Sequence, residues 1–485
     1  MLFNSYIFVF LFLPLCLIVY FGCNHYKKYE FGKIFLTGMS LWFYAYFNWS
    51  YLPIIVCSII VNYLLYCFMA KSVHKKAIMA AGVLLNLAVL FYFKYYDFFI
   101  GNINSVFGTD FLLNHVLLPL GISFFTFQQV GFLVDAYRGE ADGYSFVDYA
   151  LFVTFFPQLI AGPIVTHNEM IPQFQDISKK KFDWDNFGTG VYGFVLGMTK
   201  KVLVANTFSL GADWGFSNPE KLNGLAVLLV MLSYMIQLYF DFSGYCDMAR
   251  GIGKMFNIEI PINFNSPYKA VDLVDFWKRW HITLSRFFTQ YVYIPLGGSR
   301  KGTVRTYFNI FMIYFVSGVW HGAGWTYIIW GAMHATVYVL TRIFKKWIEK
   351  IPKVITWFST MVFFMFSLIF FRAESVSQAV LLIKRLFTEG FELPWVKAEL
   401  AACYQLEEFW YPLKVLGVDK LPYAQYFMMF ALIAGAWLVL LFCKNVNEKM
   451  ESRKPGVVSA IVCAGLLLWD IVSFSGVSSF LYFNF

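Results

Sequence analysis

Apolar stretches of about twenty residues, long enough for a helix to cross the hydrocarbon of a bilayer, recur along the whole chain. They lie near 5–23, 33–49, 51–69, 77–98, 115–134, 148–165, 187–206, 223–243, 306–320, 325–342, 354–371, 424–443 and 456–473. In hydrocarbon a segment must satisfy its own backbone N–H and C=O groups, so such runs fold as helices. The sequence therefore predicts an all-α polytopic membrane protein with about 11 transmembrane helices, the other runs being re-entrant or interfacial. Composition agrees, because 59% of the 485 residues are hydrophobic and only 14% are charged, which excludes an ordinary soluble enzyme.

Two runs are interrupted by helix breakers, at Pro119-Leu120-Gly121 and at Phe156-Pro157-Gln158-Leu159-Ile160-Ala161-Gly162-Pro163. Broken backbone survives at membrane depth only when packed in protein or lining a wet cavity, so these are the expected re-entrant segments. Residues 1–23 carry neither a basic start nor a small-residue cleavage site and read as a retained first helix. No internal repeat is visible. One membrane domain over 1–485 is expected, with N-terminal helices in 1–206, a core in 207–345 and C-terminal helices in 346–485.

Short basic loops set the orientation. Lys27, Lys28 and Lys33, then Lys71, Lys75 and Lys76, then Lys345, Lys346, Lys350 and Lys353, then Lys444, Lys449, Arg453 and Lys454 all read as cytoplasmic. Residues 101–114 carry no Lys or Arg and read as outside, as does the segment 372–425. The net charge of +9 follows from this bias and from anionic lipid headgroups, and gives no reason to expect nucleic acid. The eight cysteines are scattered without a metal-binding spacing, so no metal site is expected.

The stretch 250–303 mixes Asp272, Asp275, Lys278, Arg279, His281, Arg286 and Arg300 with Phe276, Trp277, Trp280, Phe287 and Phe288. Too charged to span and too aromatic for a solvated loop, it reads as helices lying at or dipping into the cytoplasmic interface. Beyond it, His321 stands in Trp320-His321-Gly322-Ala323-Gly324-Trp325. A titratable side chain at membrane depth is a functional-site candidate by default. If Arg300, Lys301 and Arg305 are cytoplasmic, a helix from about residue 306 rises roughly 1.5 Å per residue and carries His321 well past that surface, to a Gly-rich turn. Gly322 and Gly324 would let backbone or a thin substrate approach the imidazole.

His281 reaches this region only through tertiary folding and reads as the cytoplasmic mouth. His334 would lie about 20 Å from His321 on another face if one helix carried both, so it is not given the same role. Blander readings stand beside these. A histidine among tryptophans can be a hydrogen-bonded packing residue, Asp241 and Asp247 can be structural ion-pair partners, and Trp277, Trp280, Trp320, Trp325 and Trp330 can form an aromatic lining or belt. Lys200 and Lys201 fit interface anchors or a basic mouth for an anionic donor.

Several runs together resemble the membrane-bound O-acyltransferase (MBOAT) family. They are Gln237-Leu238-Tyr239-Phe240-Asp241-Phe242-Ser243-Gly244-Tyr245, Asn263-Phe264-Asn265-Ser266-Pro267-Tyr268, Asp275-Phe276-Trp277-Lys278-Arg279-Trp280-His281-Ile282-Thr283-Leu284-Ser285, Tyr291-Val292-Tyr293-Ile294-Pro295-Leu296-Gly297-Gly298, Trp320 to Trp325, and Trp330-Gly331-Ala332-Met333-His334. Met1-Leu2-Phe3-Asn4-Ser5, Ala161-Gly162-Pro163-Ile164, Lys200-Lys201-Val202-Leu203, Phe371-Arg372-Ala373-Glu374 and Leu481-Tyr482-Phe483 fit the bacterial branch that includes the membrane subunit of alginate O-acetylation.

The resemblance implies helices around a central pore, with His321 matching the catalytic histidine and His281 a second signature residue. Trp277, Arg279, Trp280, Ser285, Asp241, Trp320 and Trp325 become candidates for the substrate channel or donor site. No tightly bound cofactor is implied. A cytoplasmic thioester, acetyl-CoA in this branch, would supply the acyl group. An extracytoplasmic SGNH-type acetyltransferase or a polysaccharide would receive it, at the cytoplasmic membrane of a bacterium. His321 could act as general base or carry the acyl group itself; either role needs the unprotonated ring.

Relatives often carry Arg-Asp where this chain has Thr289-Gln290, which weakens any inference about a salt bridge or donor contact there. Two alternatives stay open: D-alanyl transfer from a carrier protein toward teichoic acid, and a transporter or flippase. The latter predicts repeat symmetry between halves. Residues 375–387 suit an interfacial helix, read as a lipid-facing linker or a partner-docking element.

Overall fold

A computed structural model describes residues 1–405, 407–452 and 456–476. The Leu481-Tyr482-Phe483 motif and the basic Arg453 and Lys454 lie outside the described residues. All regular structure among the described residues is helical. Six helices are long and apolar enough to cross a membrane: Phe8–His25, Trp49–Lys71, Lys75–Lys94, Gly224–Met255, Lys353–Arg372 and Ala424–Phe442.

Most other expected spans also form helices, among them Tyr29–Ala45, Ile122–Arg138, Thr303–His321, Trp325–Ile343 and Val457–Val472. The breakers act where expected. Helix formation in the 115–134 run waits until Ile122, after Gly121 at φ +70°. The 148–165 run splits into Phe146–Thr154 and Phe156–Leu159, and then leaves helix before Pro163. The 187–206 run extends further than expected, because Trp184–Thr199 continues through a π-helical turn, Lys200–Ala205, into Asn206–Ser217.

The chain forms two units, each assembled from separated stretches of sequence. One comprises Met1–Val195, Cys246–Asn263 and Thr283–Leu296; the other comprises Leu196–Tyr245, Phe264–Ile282 and Gly297–Phe485. In the first unit, rings of Phe3, Phe8, Phe12, Phe43 and Phe156 pack at centroid distances of 5.0–6.1 Å. Asn62 and Asn86 exchange amide hydrogen bonds of 3.2 and 2.7 Å between neighbouring helices, the polar pairing that joins helices where lipid offers no hydrophobic drive.

The second unit is built on a helical hairpin, Thr303–His321 and Trp325–Ile343. Lys353–Arg372 and the short helix Leu273–Arg279 pack against the hairpin's second arm. The arms meet at two glycines: a Cβ on Gly318 would come within 2.6 Å of the Gly331 Cα, and one on Gly331 within 2.8 Å of the Gly318 Cα. The aromatic segment expected at the interface packs its rings into the protein, with Phe276, Trp277, Trp280 and His281 all buried. Its aromatic rings find partners there, whereas the charges of Arg279 and Asp275 pair with each other at 2.9 Å.

Residues 375–387 also differ from expectation. The helix Val376–Thr388 turns Ala379, Leu382 and Leu386 inward, and its Gln378 and Arg385 donate to the Phe216 and Leu222 carbonyls at 2.7 and 2.9 Å. That stripe is covered by the protein, whereas Val380 and Phe387 on the same helix stay exposed.

The glycine crossing gives a direct test. Gly331→Ala forces the two backbones apart and should destabilise by about 1–3 kcal/mol. Gly435→Ala, where a Cβ meets nothing within 4 Å, should be neutral or stabilising by up to about 1 kcal/mol. Thermal unfolding of the two variants in detergent reads the difference.

Candidate active site

His321 is the last residue of its helix and is only 4% exposed. Its Nδ1 lies 2.6 Å from the Ser317 carbonyl oxygen. A carbonyl can only accept, so Nδ1 carries the proton and, in the neutral ring, Nε2 carries the lone pair. The imidazole is therefore held in the tautomer that can abstract a proton, or attack an acyl carbon, through Nε2.

Aromatic rings wall the imidazole. Trp320, Trp330 and Phe371 have centroids 4.9, 5.0 and 5.4 Å from it, each edge-on, a geometry worth about 0.5–1.5 kcal/mol per pair beyond burial. Gly322 does not leave room for substrate as the sequence reading supposed. The volume a Cβ would fill there is taken by the Tyr327 ring, and Tyr327 in turn packs on Phe371 at 5.4 Å.

His281 is closer to His321 than a position at the opposite membrane face would allow. Trp320 contacts both imidazoles, at 6.3 Å from His281 and 4.9 Å from His321. His281 is fully buried, packs edge-on against Phe242 at 4.8 Å, and adopts φ +47°. That left-handed conformation is costly for most side chains but more often taken by Asn, Asp and His. It turns the chain between Leu273–Arg279 and the next helix, and strain of this kind persists only where the surroundings enforce it.

His334 was set aside on linear spacing, and the hairpin overturns that reasoning. It lies on the returning arm, 4.6 Å from Trp330, which also contacts His321. The missed signal was the pair Gly318 and Gly331 flanking the turn, which marks a close antiparallel crossing. Phe242 and Phe371 were quoted only as parts of motifs, yet both face a histidine.

The remaining expected residues divide. Trp277 and Trp280 join the buried cluster, Trp277 at 6.1 Å from Trp330 and Trp280 at 5.6 Å from Phe276. Trp325 is 56% exposed and Arg279 is engaged with Asp275, so neither is brought into it. Asp241 is buried in an ion pair with Lys201, the structural pairing anticipated. Ser285 belongs to the first unit, where its carbonyl accepts from the Thr289 hydroxyl at 2.7 Å. The substituted pair Thr289-Gln290 lies on a π-helical turn whose Tyr291 hydroxyl donates to Asp135 at 2.5 Å.

A cleft of about 440 Å³ is lined by Lys278, Arg342, Lys345 and Lys353, with Asp272, Asp275 and Glu349 among them. Tyr338 also lines it; its ring packs on Tyr314 at 4.6 Å, and Tyr314 on Trp277 at 5.2 Å. A continuous file of rings thus runs from the cleft through Trp277 and Trp330 to His321.

Fold and site together define a multi-pass helical membrane protein with a buried, tautomer-fixed histidine at the end of a helix hairpin. The family profile described as MBOAT, membrane-bound O-acyltransferase family, matches residues 41–382, and the chain belongs to that family and is an acyltransferase. It is similar to a peptidoglycan O-acetyltransferase of Helicobacter pylori, 39% identical over 527 aligned positions that cover 100% of this chain and 98% of the relative. A "Probable alginate O-acetylase" of Pseudomonas aeruginosa is 36% identical over 412 positions, covering 82% of this chain and 77% of the other. A teichoic acid D-alanyltransferase of Bacillus subtilis is 30% identical, but over only 48% of this chain and 60% of its own. Membership removes the transporter reading.

The buried ion pair should be sensitive to loss of one member. Lys201→Met removes an ion-pair partner of the buried Asp241 and should destabilise the fold by up to about 3–5 kcal/mol; the double change Lys201→Met with Asp241→Leu should recover part of it. Chemical denaturation in detergent measures both. For His321, the nitrogen-15 spectrum should show a protonated Nδ1 and a pyridine-type Nε2 at neutral pH; the opposite pattern contradicts the hydrogen bond to Ser317.

Proposed function

We propose that this acyltransferase takes an acetyl group from acetyl-CoA at the cytoplasmic face of a bacterial cytoplasmic membrane and passes it across for O-acetylation of an envelope polymer, with His321 as the chemical centre. The observation that carries the reading is the His321 tautomer, fixed by Ser317 at the end of the ring file that begins at the basic cleft.

The cleft suits a phosphate-bearing thioester. Lys345 and Lys353 belong to a basic loop read as cytoplasmic, and with Lys278 and Arg342 they outnumber the cleft's Asp272, Asp275 and Glu349 by one, a cationic excess that would attract coenzyme A phosphates. The thioester then points along the aromatic file. His321 Nε2 takes the proton of an accepting hydroxyl as its oxygen attacks the carbonyl carbon; the C–S bond breaks, a C–O bond forms, and the departing thiolate is protonated. In the alternative sequence Nε2 bonds the acyl carbon as the C–S bond breaks and the thiolate leaves, and the hydroxyl oxygen then bonds that carbon as the N–C bond breaks, its proton passing to the thiolate.

The similarity to a peptidoglycan O-acetyltransferase along the full chain makes peptidoglycan the first acceptor to test, with an SGNH-type acetyltransferase on the outer face as the intermediate carrier. His281 is assigned a supporting role, holding Trp320 against His321.

Purified protein with radiolabelled acetyl-CoA should release or transfer acetyl, and His321→Ala should lower the rate on the order of 10²- to 10⁴-fold. Arg342→Ala and Lys345→Ala should raise the KM for acetyl-CoA with little change in kcat. Unchanged turnover in His321→Ala would sink the assignment.

A further inference from the structure

Trp277, Trp330 and His334 form a closed triangle of rings in the second unit. The indole centroids are 6.1 Å apart, and His334 lies 5.2 Å from Trp277 and 4.6 Å from Trp330. None of the three is more than 5% exposed. Each carries a buried ring nitrogen with no hydrogen-bond partner among the described residues: Nε1 of both tryptophans and Nδ1 of His334. A single orphan of this kind weakens a fold. Three on rings in mutual contact point to a shared occupant.

The polarity of the three nitrogens defines that occupant. Indole N–H can only donate. The Ser367 hydroxyl gives its one proton to the Phe364 carbonyl at 2.7 Å, so at 2.9 Å it must accept from His334 Nε2–H. The neutral His334 ring therefore presents a lone pair at Nδ1. Two donors and one acceptor match a group that both donates and accepts through a single atom. A carbonyl oxygen or an anion would leave its lone pairs against Nδ1, and an ammonium would face the two indole donors.

We infer that Trp277, Trp330 and His334 hold a hydroxyl group, that of an alcohol acceptor or of water, with its O–H donated to His334 Nδ1 and its oxygen accepting from indole N–H. Trp330 packs on His321 at 5.0 Å, which places this hydroxyl one ring from the imidazole that reacts in the proposed function, on which the inference rests. On leaving His334 Nδ1 for His321 Nε2 that O–H becomes the attacking hydroxyl of the proposed step, so the occupant of the triangle decides whether the acyl group ends as an ester or as free acid.

Purified full-length protein, given acetyl-CoA and graded ethanol, reports both products as ethyl acetate and acetate. Trp277→Phe and Trp330→Phe each remove one donor and should raise the KM for ethanol on the order of tenfold. His334→Leu should do the same. His334→Asn, whose side-chain oxygen can stand near Nδ1, should recover most of the loss. If these variants instead slow acetate formation without ethanol and leave both the KM and the kcat of ethyl acetate formation alone, the site holds water, which also supports the inference. A fall in kcat alone, or no change in either product beyond about twofold in variants that elute as folded, overturns it.

Turnover is not the only readout. Nitrogen-15 histidine labelling should show a hydrogen-bonded Nδ1 at His334 that reverts toward a free pyridine-type shift in Trp330→Phe; a free shift in the unsubstituted protein also overturns the inference. His321→Ala, run in parallel, tests the underlying reading separately, because retained turnover there would fail that reading while the His334 resonance still judges the triangle.

Discussion

The close crossing of Gly318 and Gly331 is the contact on which the site depends. In a bilayer the surrounding chains are as apolar as the helix surfaces, so two helices associate through close packing and polar contacts rather than through release of water. Removing both Cβ atoms at the crossing lets the arms Thr303–His321 and Trp325–Ile343 approach backbone to backbone. Ser317, beside Gly318, offers the carbonyl that fixes His321. Trp330, beside Gly331, supplies the ring that His321 and His334 share. The same two glycines that join the helices thus determine which groups meet at the turn.

Packing at this density also governs charge. Burying an ion without a partner is expensive, and the structure pairs the buried cations Lys33 and Lys201 with Asp148 and Asp241. Around His321 stand the rings of Trp320, Trp330 and Phe371, which limit bulk water there and let fixed dipoles act in a low dielectric. An enzyme that passes an activated acyl group onward has to prevent its loss to water. A close-packed aromatic wall with few polar openings does so, and confines polar contact to the atoms that take part.

Helix positions, the interrupted runs at Gly121 and Pro157, and the singular character of His321 were legible in the sequence because each is a local property: hydropathy, a missing Cβ or N–H, a titratable group among apolar neighbours. The motifs also made the family legible. What was not legible depends on distance across the fold. His334 looked remote when measured along one helix, although the turn at Gly322 folds it back. His281 was assigned to the far side of the membrane because charged neighbours dominate its surroundings in sequence, whereas its own segment turns its aromatic face inward. Gly322 looked like room for a substrate; only the position of Tyr327 shows that the room is filled.

The segment carrying His281 explains how one short stretch serves both flanks of His321. Leu273–Arg279 is capped by Asp272, whose side chain accepts from the Asp275 N–H at 2.7 Å, so the helix begins at a fixed point. Trp277 projects from it toward Trp330, and after the helix ends His281 turns through a left-handed residue toward Trp320. Trp320 and Trp330 are the two indoles that touch His321. A helix in regular conformation through residue 281 would carry the two side chains four residues apart onto one face, and both could press only on the same neighbour. The extended Trp280 and the positive φ at His281 separate them, so that one segment packs against both indoles beside His321, Trp277 on Trp330 and His281 on Trp320, with His281 also against Phe242 on the long helix Gly224–Met255.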